Sequence, residues 1–99
     1  MATAAALRRI DSNLRSVEAE VNFLPDMAEL WSDLPDTNHA AFMLEWANLM
    51  DAVDILENGR RESYMTPVQE KRYKALLAKL QEYKPIIERL ELGLPKILT

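Results

Sequence analysis

Few side chains in this sequence could do chemistry. There is no cysteine, so neither thiolate catalysis nor a disulfide framework is available. His39 is the single histidine, and a zinc centre built on three or four N or S ligands cannot be assembled around one imidazole. It follows Thr37 and Asn38, good helix-capping types, and reads as a histidine in a capping region or exposed to solvent. Gly59 and Gly93 are the only glycines, and neither lies in a glycine-rich loop that could cradle phosphate.

Carboxylates are the remaining candidates. Asp and Glu projected inward from facing helices at spacings of three or four residues can hold Mg²⁺. Asp26/Glu29, Asp51/Asp54 and Glu88/Glu91 have that spacing. On a helical wheel, however, Asp51 and Asp54 fall opposite the apolar stripe of their segment, and Glu91 lies at a fraying helix end. A carboxylate- and Mg-dependent all-α enzyme is therefore kept only as an alternative. No catalytic, cofactor-binding or metal residue is assigned. Glu45, at the rim of an apolar stripe, is the carboxylate expected to be partly buried, paired with the basic last helix.

The cations are unevenly distributed along the chain. Residues 1–58 carry three Arg against eleven carboxylates, and residues 59–99 carry nine Lys/Arg against five Glu, within a net charge of −4. Arg60, Arg61, Lys71, Arg72, Lys74 and Lys79 are the candidates for a nucleic-acid face. The acidic half would repel phosphate at short range, and the loop before the last helix is too long for a helix-turn-helix. The basic and acidic halves are expected to pack beside each other instead.

These residues must be positioned by helices, because the apolar periodicity is helical throughout. Leu7, Ile10, Leu14, Val17, Val21 and Leu24 recur at alternating steps of three and four. Asp11 and Arg15 can pair at i,i+4 on the outer face. Pro25 is expected to end this helix, since the residue before a proline is pushed out of the α region. The segment "LPDMAELWSDLPD" predicts a short strap helix over 26–34, with Met27, Leu30, Trp31 and Leu34 facing inward. The next helix is expected over 38–58, capped at Thr37 or Asn38 and closed by Gly59 in a left-handed C′ position. "TPVQE" is a helix start, with Thr66 as N-cap, Pro67 at N1 and a capping-box partner following. Tyr73, Leu76, Leu80, Tyr83, Ile87 and Leu90 then form a third stripe. One helix over 67–91 is expected, kinked at Pro85 and closed by Gly93 and Pro95, with residues 93–99 left as an apolar tail.

The densest apolar stretch is "AFMLEWANLMDAVDIL". Phe42, Met43, Trp46, Leu49, Met50, Val53 and Leu56 fall within one arc of about 140° and are expected to form a core stripe. Leu44 and Ile55 point the other way, with Ala41 and Ala52 beside them. A helix with one core face has no use for this second stripe. Either the strap or the tail covers it, or another subunit does, which would make this the central helix.

The fold class expected is all-α: a single domain, an antiparallel bundle of three long helices plus one short strap helix. No apolar run reaches the roughly 18 residues of a membrane span, and in "MATAAALRR" the arginines follow the apolar part, the reverse of a secretory signal. A cytoplasmic location is expected. The functional expectation is a small non-catalytic interaction or scaffold module. Its partner would be a second copy, giving a homodimer, or another helical protein, bound through Leu44, Ile55, Ala41 and Ala52.

Overall fold

A computed structural model describes residues 3–99. The chain is all-α, with no strand among the described residues. Its order is α1 (Ala4–Leu30), a 3-10 turn (Trp31–Asp33), α2 (Asp36–Arg61), α3 (Pro67–Glu82), α4 (Lys84–Arg89) and a second 3-10 turn (Lys96–Leu98).

Helix α1 does not stop at Pro25. It runs through the proline to Leu30, so the separate strap helix over 26–34 is absent. An internal proline costs about 3 kcal/mol through its missing N–H and ring clash. The offset comes from the residues beyond it: Met27, Ala28 and Trp31 are partly buried against the core. Leu30, expected to face inward, is exposed. Helix α2 starts at Asp36 after Pro35, ahead of the expected caps, and no side chain caps it.

Gly59 does not close α2 either; the helix passes through it to Arg61. The left-handed residue is Ser63, at φ 61°. The N–H of Tyr64 bonds the carbonyl of Gly59 at 2.9 Å and the N–H of Ser63 bonds that of Arg60 at 3.1 Å, the two bonds of a Schellman motif. Gly59 lies within the helix beside Ile10, and a Cβ there would meet Cδ1 of Ile10 at 3.8 Å, an ordinary van der Waals contact.

The expected capping box opens α3. Thr66 Oγ1 accepts from the N–H of Gln69 at 3.1 Å, and Gln69 Oε1 accepts from the N–H of Thr66 at 3.1 Å. The single kinked helix over 67–91 is replaced by two, interrupted at Tyr83, two residues before Pro85. A proline at the second position of α4 loses no helical bond, because the N–H groups of a first turn have no partner within the helix. Gly93 does not terminate α4; Glu91 does, at φ 59°, in a second Schellman motif with Leu92 N–H on Ile87 and Glu91 N–H on Glu88.

The core is the union of the three expected stripes. Leu14, Val17, Val21 and Leu24 of α1 meet Phe42, Trp46, Met50, Val53 and Leu56 of α2, and Tyr73, Leu76 and Leu80 of α3, with Ile87 and Leu90 beyond. Met43 is an exception, lying exposed at the edge of its stripe. The helix between the others is α1, not α2: its densest contacts are with α2 on one side and α3 on the other. Ile10 lies by Gly59 and Trp31 by His39, so the start of α1 adjoins the end of α2, and its end adjoins the start. Gln69 Nε2 donates to the carbonyl of Leu7 at 3.0 Å, which brings the start of α3 to the start of α1. The result is elongated, 47 × 23 × 19 Å.

Candidate functional site

The tail settles what it covers. Trp46 Nε1–H donates to the carbonyl of Gly93 at 2.8 Å, and Pro95 is buried. The N–H of Lys96 donates to Asp54 Oδ1 at 3.0 Å, which caps the last 3-10 turn from α2. These contacts fall on one flank of α2. They leave its back open: Leu44 is 66% exposed and Ile55 59%. Ala41 is also exposed, and Ala52 is half-buried. Neither the turn at Trp31 nor the tail residues Ile97 and Leu98 cover Leu44 and Ile55.

Ile55 forms one wall of an apolar groove between α1 and α2. Ala6, Arg9, Ile10, Asn58, Gly59, Glu62 and Tyr64 complete it, around a volume of about 280 Å³. Gly59 leaves the groove without a side chain beside Ile10, and the Schellman turn swings Tyr64 back beside the helix end. Phe23 of α1 is also exposed.

Electrostatically the molecule is sorted by end. Residues 3–15, 52–75 and 96–99, which share one end, hold nine Lys/Arg and five Asp/Glu; the remaining described residues hold three and eleven. The expected contrast between first and last halves of the chain is therefore a contrast between two ends of the fold. Much of the basic end is internally paired. Arg72 donates to Asp11 at 2.6 Å and to Glu18 at 2.7 Å, and Arg15 donates to Asp11 at 2.6 Å. Arg15 and Arg72 together hold the Asp11 carboxyl below its usual range. Arg9 has no carboxylate within ion-pair distance among the described residues.

Glu45 is exposed, contrary to expectation, and pairs with nothing on α3. It turns toward α1: burial, and then the charge of Glu45, push the Glu20 carboxyl up from its usual value. The buried carboxylate is Glu57, 4% exposed and held by Arg60 Nε at 2.8 and 3.0 Å. The i,i+3 pairing of Glu57 with Arg60 was legible in sequence; the burial was not. Beneath it lies the hydroxyl of Tyr73, buried and without a hydrogen-bond partner among the described residues.

The other chemical candidates are dispersed. Asp26, Glu29, Asp51, Glu88 and Glu91 are exposed, and Asp54 is engaged by the tail. No three His, Asp or Glu side chains converge into a metal-binding group among the described residues. His39 stacks on Trp31 at 4.1 Å with the rings 5° apart, and its Nε2 lies 2.6 Å from the Trp31 carbonyl, tying the two ends of the α1–α2 connection together. No helix is long and apolar enough to cross a membrane among the described residues. Comparison with protein-family models, with curated proteins and with solved structures found no match.

Proposed function

We propose that this chain is a small non-catalytic interaction module, an antiparallel three-helix bundle that self-associates through the back of α2. The observation that carries the reading is the exposure of Leu44 and Ile55, 66% and 59%, on a helix whose opposite face is the core. Eleven residues separate them, about three turns, so they lie on one side roughly 16 Å apart. Ala41 and Ala52 lie beside the stripe, and Asn48 and Asp51, both exposed, lie between its two ends. A two-fold interface uses one patch twice, so a modest stripe is doubled by symmetry. The separation of charge between the two ends further favours a second copy laid antiparallel, with unlike ends adjacent. The absence of cysteine suits work in the cytoplasm.

Sedimentation of the parent and of a Leu44→Glu/Ile55→Glu variant, which sets like charges against each other across an antiparallel pair, at tens of micromolar as a rough range for weak dimers, tests this. The parent should run as a dimer and the variant as a folded monomer. A parent that is monomeric throughout that range removes the reading.

The basic end supports a second reading, weak binding of nucleic acid through Arg8, Arg9, Arg61 and Lys71. Its mark would be duplex binding at low salt that falls steeply as salt rises.

A further inference from the structure

We propose that in the self-associated state Leu44 of each copy seats in the Ile55 groove of the other, which brings Arg9 of one copy to Glu45 of the other. This rests on the reading of the α2 back as a self-association face, and adds its register and the residues that select it.

The face carries one projection and one recess. Leu44 is the most exposed large apolar side chain of α2. The recess is lined mainly by carbon, from Ala6, Ile10, Ile55, Gly59 and Tyr64. They lie at opposite ends of one face, which is the condition for a two-fold: a single rotation fills both recesses with both projections. The axis then passes midway between them, at the level of Asn48 and Asp51, both exposed, so that Asn48 of each copy faces Asp51 of the other.

That register has an electrostatic consequence. Arg9 forms the rim of the groove and is unpaired among the described residues. Glu45 follows Leu44 in sequence, is exposed, and is likewise unpaired among the described residues. Within one copy its near neighbour across the helix pair is another carboxylate, Glu20. Seating Leu44 in the groove carries Glu45 to the level of Arg9 and relieves that like-charge proximity. The pairs lie at the rim of an apolar contact, where charge sets orientation and rejects wrong registers more than it supplies affinity. A parallel pairing would set Glu45 against Glu45 and Arg9 against Arg9.

Charge reversal tests the register on the intact chain. Arg9→Glu and Glu45→Arg lie on the surface and should leave the circular dichroism spectrum unchanged. Each alone should weaken self-association by about tenfold or more at low salt, less as salt screens the pairs. Two rescues should follow. The double variant Arg9→Glu/Glu45→Arg should regain the parent's dissociation constant to within a few fold. An equimolar mixture of the two single variants should form a heterodimer tighter than either homodimer, because both of its pairs are then attractive.

Loss of dimer in both singles without either rescue would overturn the register. So would a parent dimer broken by Leu44→Glu/Ile55→Glu but indifferent to both charge reversals; in that case the α2 face stands and only the pairing fails. A monomeric parent would overturn both.

Discussion

Trp46 and Gly93, 47 residues apart, are joined by a 2.8 Å hydrogen bond from the indole Nε1–H to the Gly93 carbonyl oxygen. The bond gives a fully buried tryptophan the polar partner its N–H requires, and it fastens the C-terminal segment to α2. Replacing Trp46 by alanine removes the largest core side chain and this anchor together. Trp46→Ala should cost about 3–5 kcal/mol, most of the stability of a domain this size. Urea unfolding followed by circular dichroism measures it, and a variant with the parent's midpoint would contradict the packing described.

Two helices end on residues that disfavour the left-handed conformation they adopt. Ser63 at φ 61° and Glu91 at φ 59° carry side chains where glycine would be unstrained. Ser63→Gly and Glu91→Gly should each stabilise the fold, by about 0.5–1 kcal/mol, after the greater chain entropy of glycine is subtracted. The expected reading is a higher melting temperature for each single variant and an additive gain for the pair, since the two sites are far apart.

Tyr73 is buried with its hydroxyl unpartnered among the described residues, and burial, reinforced by Glu57, pushes its ionisation up to about 12. Tyr73→Phe removes a desolvated hydroxyl and keeps the ring, and should stabilise by about 1 kcal/mol. The sign with pH follows from the raised value. The folded state retains its proton where the unfolded tyrosine, near 10, has lost it. Parent stability therefore declines as pH rises from about 10 toward 12, and the phenylalanine variant should lack that part of the decline. Denaturant titrations at pH 9 and pH 11 make the comparison.

Asp11 and Glu20 should shape the acid side in opposite directions. Arg15, then Arg72, lower the Asp11 carboxyl, so its contribution is present above the ordinary aspartate value, about 3.9, and is lost as pH falls through the lower folded one. Asp11→Asn should weaken the fold at neutral pH and flatten its acid limb. Glu20 is raised, by burial and then by Glu45, so its charge is unfavourable at neutral pH. Glu20→Gln should stabilise at pH 7, with the gain vanishing below the ordinary glutamate range, about 4.3. Equal slopes for parent and both variants between pH 3 and 7 would refute the assignment.

Arg72 joins α3 to α1 through both Asp11 and Glu18. All three side chains are about one-third exposed, so solvent screening keeps the value small, and Arg72→Ala should cost about 1 kcal/mol. Most of that loss should disappear in molar salt, which a melting series would show.

By itself the sequence determined the helices as elements and which face of each is apolar. The stripes at Leu14–Leu24, Phe42–Leu56 and Tyr73–Leu80 are buried as their spacing requires, and Thr66, Pro67 and Gln69 form the start that their types dictate. These are short-range properties, set by a 3.6-residue period and by the donors a helix start leaves free. Helix ends were another matter. Pro25 and Gly59 each carry a local preference of a few kcal/mol at most, which packing of the residues beyond them outweighed; Pro85 broke the helix and sits in the first turn of α4, and Gly93 lies beyond an end already made at Glu91. Tertiary structure alone decided that α1 lies between α2 and α3, that Glu57 rather than Glu45 is buried, and that cations spread over three helices gather at one end. It also decided that the C-terminal segment seats over Trp46 and leaves Leu44 and Ile55 open. Each of these turns on which surfaces meet across tens of residues of chain, and helical periodicity reports only which side of a helix seeks cover, not what provides it.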